Sequence, residues 1–340
     1  MCILHSKLGG VPMPILDSRS LRQKAANRLE STPNQGKLVL LFACVSAGLF
    51  LVTGLVSLLL DGLIASTGGL GGLQKRSILT TVQAMLNLLL FVFVPFWNLG
   101  YISAALKLGH GEASAETDLL NGFRRFGPAL RLILLRLVVN FAVFFVTIQV
   151  ASIVFSFTPW AQPFYQQLES QSLSDISAGL DAAMVEALIP TMIPYWIIAG
   201  VLYMIALIPV TYRLRLAEYR IMDDPQCGAL MALLQSNRAM KGNCVAFFKL
   251  DLHFWWYYLA SALVALLCYG DVLLPMVGIP LPFDAEVGFI VFYVVSQAAQ
   301  VLLYWRCRNL VECTYVCAYD MLREAQILPP QPSKNVPWNY

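Results

Sequence analysis

The sequence predicts an all-α protein: a polytopic membrane helix bundle of about six transmembrane helices, with short amphipathic helices on the cytoplasmic side. Three observations predict it. Of 340 residues only 13% are charged and 58% are hydrophobic, whereas a soluble domain carries about 25% charged residues. The charges are missing from long blocks and crowded between them, as bilayer spans require. And all but two of the 23 Lys and Arg residues fall on one side of those blocks.

The elements follow in order. Residues 1–37 form a polar, basic segment. Within it, Ser18–Leu29 sets Leu21, Ala25 and Leu29 on one helical face, with Arg19, Arg22, Lys24 and Arg28 around them. Such a basic amphipathic helix suits anionic headgroups. Residues 38–305 hold the six-span membrane domain. The first block, Leu38–Leu60, exceeds the roughly 7–15 apolar residues of a signal-peptide core and reads as a retained anchor. Ser77–Leu106 is the second span, kinked by Pro95; the third runs from Leu137 to about Trp160. The fourth, Ala187–Tyr212, contains Pro190, Pro194 and Pro209; the fifth is Leu252–Gly270 and the sixth Val287–Trp305. Each is long enough for a hydrocarbon core of about 30 Å at about 1.5 Å per residue. Residues 306–340 form a cytoplasmic C-terminal helix and a Pro-rich tail.

Charge orients the spans. Only Lys75 and Arg76 lie on the far side, which places the basic side, and with it both termini, in the cytoplasm of a plasma-membrane protein. The first outer loop, Gly68-Gly69-Leu70-Gly71-Gly72, lacks the Gly-Lys-Ser/Thr of a phosphate loop and reads as a flexible turn. The second, about 158–186, has no Lys or Arg, and its Ile176, Leu180 and Met184 recur at helical spacing, so a short helix lying on the outer surface is expected.

Two further cytoplasmic stretches repeat the basic amphipathic design. Ser114–Phe126 places Leu119, Leu120 and Phe123 near Arg124 and Arg125; Ala229–Met240 places Leu230, Leu233 and Leu234 near Arg238 and Lys241. Each either hides its apolar face against the bundle or rests on lipid. Asp224-Pro225 is positioned to open the second of these helices, and Gly242 to stop it in left-handed geometry, a hinge ahead of the fifth span.

Chemistry is hard to find. The span centres carry no Asp, Glu, Lys or Arg, only Gln83, Asn87, Asn140, Gln149, Gln297 and Gln300, which more often bond between helices than bind substrates. The histidines, His5, His110 and His253, form no HExxH pair. Asp251 and His253 lack an identifiable nucleophile, and Trp255 and Trp256 beside them read as an interfacial belt. Asp223-Asp224-Pro225 reads as a turn ahead of a divalent-cation site. None of the 8 cysteines falls in an outer loop, so no disulfide is expected, and Cys307, Cys313 and Cys317 read as small hydrophobes without a His to complete a metal site. No catalytic residue, cofactor, metal or nucleic-acid partner emerges.

Residues 213–256 carry a resemblance. Ala217-Glu218-Tyr219-Arg220-Ile221-Met222-Asp223-Asp224-Pro225, then Leu234-Gln235-Ser236-Asn237-Arg238-Ala239-Met240-Lys241-Gly242-Asn243, then Phe247-Phe248-Lys249-Leu250-Asp251-Leu252-His253-Phe254-Trp255 resemble an uncharacterised bacterial membrane family, domain of unknown function 975. Gly100, Leu106 to Gly109, Leu119 to Phe126 and Ser20-Leu21-Arg22-Gln23-Lys24-Ala25 fit it more loosely. The resemblance implies a polytopic architecture and a Gram-positive plasma-membrane setting, and supplies no catalytic residue or substrate.

Two functions remain open. One is a non-enzymatic accessory, scaffold or envelope-associated factor whose cytoplasmic face meets anionic headgroups or a protein partner. The alternative is a transporter or lipid-handling protein with a cavity between proline-kinked spans. An enzyme acting on lipid ranks third. A fully packed bundle favours the first; a cavity lined by Asn87, Asn140 or Gln297 favours the second.

Overall fold

The computed structural model describes residues 17–66, 72–169, 182–276, 278–279 and 285–325, and these contain helix and no strand. Five helical stretches are long and apolar enough to cross a membrane: Gln35–Ile64, Ser77–Gly109, Phe126–Ser156, Met192–Asp223 and Val287–Glu324. A sixth is formed if the bent pair Cys244–His253 and Trp255–Leu267 is one span. Along these stretches large apolar side chains face outward, with Leu59 and Leu89 each 68% exposed and Phe141 67% exposed. Such a surface is stable against hydrocarbon, not water.

The chain divides into two compact units. The first comprises residues 1–132 and 216–340. It begins with α1 (Ser18–Glu30), whose N-terminal N–H groups at Arg19 and Ser20 donate to the Asp17 carboxylate at 3.3 Å each. Leu21, Ala25 and Leu29 are buried as the spacing predicts. Asn34, at φ +65°, turns the chain into α2 (Gln35–Ser66). Next come α3 (Gly72–Gly109, with Pro95 inside), a 3-10 turn (Glu116–Leu120), α4 (Asn121–Arg124) and the start of α5 (Phe126–Ser156).

The turn and α4 fold back onto α3 through two glycines. A Cβ on Gly100 would stand 1.8 Å from the Leu119 carbonyl oxygen, and one on Gly122 would stand 2.0 Å from that of Phe96. Backbone meets backbone there because neither position carries a side chain. Asp118 locks the turn, accepting from Lys107 Nζ (2.6 Å), Ala115 N (2.8 Å) and Ser114 Oγ (3.1 Å).

The first unit resumes with α8 (Leu216–Asp223), α9 (Ala229–Met240), α10 (Cys244–His253), α11 (Trp255–Leu267), α12 (Gly270–Met276), α13 (Ala285–Leu303), a π-helical segment (Tyr304–Arg308) and α14 (Asn309–Glu324). The helix runs unbroken through the domain boundary expected at 305/306. Val287–Glu324 would be about 57 Å long at 1.5 Å per residue, nearly twice a hydrocarbon core, so a single crossing does not need its C-terminal part. That part, α14, is buried among α1, α3 and α8, with Cys313, Thr314, Val316, Cys317, Ala318 and Tyr319 fully enclosed.

Among the described residues, the second unit, residues 133–215, contains the rest of α5, α6 (Ala161–Glu169) and α7 (Ala182–Leu214). Phe155 packs edge-on against Phe164 and Tyr195, and Ser152 Oγ lies 3.4 Å from the Tyr195 hydroxyl. The outer-surface helix expected near Ile176 and Leu180 lies outside the described residues, and Met184 falls in α7.

Three expectations are corrected. The helix before the fifth span starts at Ala229, capped by Gly228, not at Asp224-Pro225, because Asp224 instead closes a turn by accepting from Gln226 N at 3.0 Å. Its buried face is Ala232, Leu233, Ser236, Ala239 and Met240, while Leu230 and Leu234 point outward, since the small side chains permit the closer approach. The fifth span is not one helix: it bends by 68° at Phe254, whose ring leaves the helical path and is buried, with the Arg22 guanidinium 5.8 Å from its centre.

Candidate functional site

A partly open cleft of about 390 Å³ lies within the first unit, between α2, α3, α11 and the α13–π segment. This volume falls at the small end of ligand sites, which run to about 300–1,000 Å³. One wall is a stripe on a single helix: Tyr293, Ser296, Gln297, Gln300, Tyr304 and Arg308. The spacing of three and four residues keeps these positions on one face. From Tyr293 to Arg308 the stripe is about 22 Å long. The opposite walls are mostly apolar, with Phe42, Leu49 and Phe50 from α2 and Phe93, Val94 and Trp97 from α3.

A tyrosine packed against a glycine supports this wall. Tyr293 lies over Gly54, where a Cβ would meet its ring at 2.4 Å, and its hydroxyl donates to the Phe50 carbonyl at 2.7 Å. Across the cleft, Trp97 Nε1 donates to Ser46 Oγ at 3.0 Å, and Ser46 Oγ in turn donates to the Phe42 carbonyl at 2.7 Å. Pro95 lies between Val94 and Trp97, α3 residues that line the cleft.

Arg308 terminates the cleft. Its guanidinium carbon lies 4.5 Å from the ring centre of Tyr304, 4.7 Å from that of Phe42 and 5.0 Å from that of Tyr101. One amino group donates to Asn98 Oδ1 at 3.1 Å. Glu312 is 4.0 Å away, and its other oxygen accepts from the Tyr219 hydroxyl at 2.7 Å. The buried Nε–H of Arg308 has no hydrogen-bond partner. Of the guanidinium N–H groups one is taken by Asn98, and the rest of the group faces aromatic rings and a distant carboxylate, an arrangement that leaves donor capacity for an oxyanion. The π geometry of Tyr304–Arg308 shifts the helix face locally, a distortion found most often at functional sites.

The residues singled out from the sequence lie elsewhere. Arg19, Arg22 and Lys24 are exposed on α1, whereas Arg28 turns inward: it pairs with Asp320 at 3.5 Å and donates to the Gly109 carbonyl. It therefore clasps α1 to α14. Asp223 accepts from Tyr319 (2.8 Å) and Arg323 (3.1 Å), and Asp224 pairs with Arg220 at 3.0 Å. The two carboxylates thus serve separate structural pairs, and Pro225 sits in the turn that follows them. Arg238 and Lys241 are exposed at the end of α9, and Gly242 has φ +90°. None of these residues lines the cleft.

His253 also gains a partner that sequence reasoning did not find. Its Nδ1 lies 2.9 Å from the Lys249 carbonyl and its Nε2 3.3 Å from Ser18 Oγ. This fastens α1 to α10, while Asp251 accepts from Tyr258 instead. In the stretches between the span candidates, the Asp118 carboxyl and the Cys227 thiol are shifted. Burial alone raises the Asp118 carboxyl, but hydrogen bonds from Lys107, Ala115 and Ser114 outweigh it and hold the group below its ordinary range. Burial pushes the Cys227 thiol up, against the pull of Arg220.

The family comparison spans both the clasp and the cleft: a family model described as Protein of unknown function (DUF975) matches residues 17–320. The chain belongs to this family. Neither curated proteins nor solved structures gave a match. In this DUF975 protein the matched region runs from the Asp17 cap of α1 to Asp320, the acceptor of Arg28 on α14. The stretch with the most specific resemblance, residues 213–256, supplies the Asp223, Asp224 and His253 fastenings and contributes nothing to the cleft walls.

The sequence points to Gln297 as a residue that could line a cavity but gives no sign that Arg308 closes it. The available signal was the Gln297, Gln300, Tyr304, Arg308 spacing, which extends a polar stripe from the middle of an apolar helix to a charge.

Proposed function

We propose that this DUF975 protein is a lipid-handling or transport-type plasma-membrane protein that takes an amphiphile from the bilayer into the cleft of its first unit. The observation that carries the reading is the polar stripe ending at Arg308 inside an otherwise apolar span region. Gln297 and Gln300 belong to the cleft, and Asn87 and Asn140 do not. A bundle acting only as a scaffold has no use for a polar wall at that depth, where each unpaired group is costly. The amphiphile's chain has Phe50, Phe93 and Val94 to lie against, and its polar end has Tyr304 and Arg308.

The accessory reading keeps one supporting observation. Leu230, Met231 and Leu234 on α9 are exposed, with Arg238 and Lys241 at the helix end. These side chains, and Arg19, Arg22 and Lys24 exposed on α1, are each of a kind suited to the anionic cytoplasmic leaflet, with both termini inside. This contact seats the protein and is compatible with the cleft.

The test is native mass spectrometry of the intact protein extracted in mild detergent, compared with Ala265→Trp, which places an indole in the cleft from an exposed wall position. Retained lipid in the wild type, lost in a folded Ala265→Trp variant, supports the reading. Equal retention by both overturns it.

A further inference from the structure

We propose that the cleft selects an anionic amphiphile, and that Arg308 is the residue that makes the selection. The inference rests on the amphiphile reading above and adds the charge of the ligand and the group that reads it.

Four observations lead to it. First, Arg308 is a cleft residue at the end of the stripe, so its guanidinium meets whatever fills that end. Second, its own hydrogen bonding is incomplete: Asn98 takes one N–H, and the buried Nε–H has no partner. A buried polar donor without a partner is costly, and more so when the group is charged. Third, the carboxylate that ought to neutralise it, Glu312, stands at 4.0 Å and is shared with Tyr219. That is an ion pair at its outer limit, not a forked contact, and the planar fork of Arg remains open to an oxyanion. Fourth, the aromatic faces of Phe42, Tyr101 and Tyr304 hold the cation without consuming its N–H groups.

The recognised chemistry is a phosphate- or carboxylate-type oxyanion. The apolar walls along the remaining length assign it to the head of an amphiphile and not to a free anion. The volume of about 390 Å³ accommodates one such head with part of a chain, not a complete two-chain lipid.

Glu312 gives the proposal its discriminating variant. It competes with the ligand for Arg308, so Glu312→Gln should tighten binding of an anionic amphiphile, whereas damage to the fold weakens binding. Arg308→Gln should weaken it, and Arg308→Lys should fall between, since Lys keeps the charge and loses the fork.

The experiment measures binding to the intact, detergent-solubilised protein by native mass spectrometry and thermal shift. The ligands are phosphatidylglycerol, phosphatidylcholine and inorganic phosphate, each offered to wild type, Arg308→Gln, Glu312→Gln and Ala265→Trp. The expected result is at least a tenfold preference of the wild type for phosphatidylglycerol over phosphatidylcholine. Arg308→Gln abolishes that preference while phosphatidylcholine binding persists; Glu312→Gln enlarges it severalfold. If Arg308→Gln does not fold, Glu312→Gln decides alone. Undiminished preference in Arg308→Gln, or none gained in Glu312→Gln, overturns the role of Arg308 while leaving an amphiphile in the cleft. Inorganic phosphate binding as tightly as phosphatidylglycerol overturns the headgroup assignment. Wild-type lipid binding unaffected by Ala265→Trp overturns the amphiphile reading itself.

Discussion

Gly100→Ala tests the packing that supports the first unit. The added Cβ would stand 1.8 Å from the Leu119 carbonyl oxygen and 2.6 Å from its carbon, where real contacts of this kind essentially never fall below 3.0 Å. The obstructing atoms are backbone, so no rotamer change relieves the clash, and the 3-10 turn must move from α3 by roughly an ångström. Overpacking of this kind costs about 1–3 kcal/mol, and the backbone identity of the neighbour places Gly100→Ala toward the upper end. The gain from removing a helical glycine, about 0.5–1 kcal/mol, does not cancel it. Gly122→Ala meets the Phe96 oxygen at 2.0 Å across the same gap and should behave alike. Since one separation accommodates both methyl groups, the double variant should lose less than the sum of the two singles. Gly127→Ala is the control: nothing lies within 4 Å of its Cβ, and it should be neutral or slightly stabilising. The assay is thermal unfolding of the detergent-solubilised protein, followed by the monodisperse fraction on size exclusion. A Gly100→Ala protein as stable as Gly127→Ala refutes the close approach.

Further outcomes follow from the same geometry. Asp118→Asn should destabilise the protein at pH 7 by about 1.5–3 kcal/mol, the range for a hydrogen bond to a charged group. Because the folded carboxyl is held below its ordinary range, its contribution is present above about pH 4 and is lost as pH falls through the lowered folded value, so the variant and wild type should converge in acid. Gly242 sits at φ +90°, so Gly242→Val should lower folded abundance more than Gly242→Asn, as Asn34 already occupies φ +65° in this chain; equal abundance of both with wild type would remove the hinge. Reporter fusions after Gly72, Ser174 and Asp284 should read outside, and those after Glu116, Asp224 and Gln331 inside; a reversed signal at a middle connection contradicts the topology.

The spans were legible because a bilayer imposes a one-dimensional rule: length and absence of charge locate a helix without knowledge of its neighbours. The buried face of α1, at Leu21, Ala25 and Leu29, was legible for a similar reason, since helical periodicity is local. What escaped was pairwise. Arg28 and Arg22 look alike in sequence, yet one reaches Asp320 and the other lies over Phe254, because α14 and α10 return beside α1 after more than two hundred residues. On α9 the apolar pattern pointed to Leu230 and Leu234, but the contact uses Ala232, Ser236 and Ala239, where small side chains bring backbones close. Hydrophobic period ranks residues by polarity and is blind to the advantage of small ones in helix packing. The full lining of the cleft escaped for the same reason, since beyond Gln297 it is defined by four elements that meet only in the folded unit.

Arg308 is positioned by its neighbours in the chain more than by its own bonds. The next residue, Asn309, accepts from Tyr101 at 2.6 Å and donates to the Gln35 carbonyl at 2.9 Å, tying the helix to α3 and to the start of α2. Beyond it, α14 is enclosed, and Asp320 near its end gathers Arg28 at 3.5 Å, His110 at 3.0 Å and Arg323 at 3.4 Å. The backbone beneath Arg308 is therefore fixed on both sides of the cleft wall, while the side chain spends a single hydrogen bond on Asn98. A cation held in this way loses little further freedom when an anion arrives, and preorganisation of that kind raises affinity by lowering the ordering cost of binding. The α1 clasp and the cleft are thus two parts of one device, in which the charge-paired layer around Asp320 anchors the helix that carries the ligand-facing charge. Loosening the layer through Arg28→Ala should then weaken phosphatidylglycerol binding although Arg28 does not line the cleft; unchanged binding in a folded Arg28→Ala protein would separate the two.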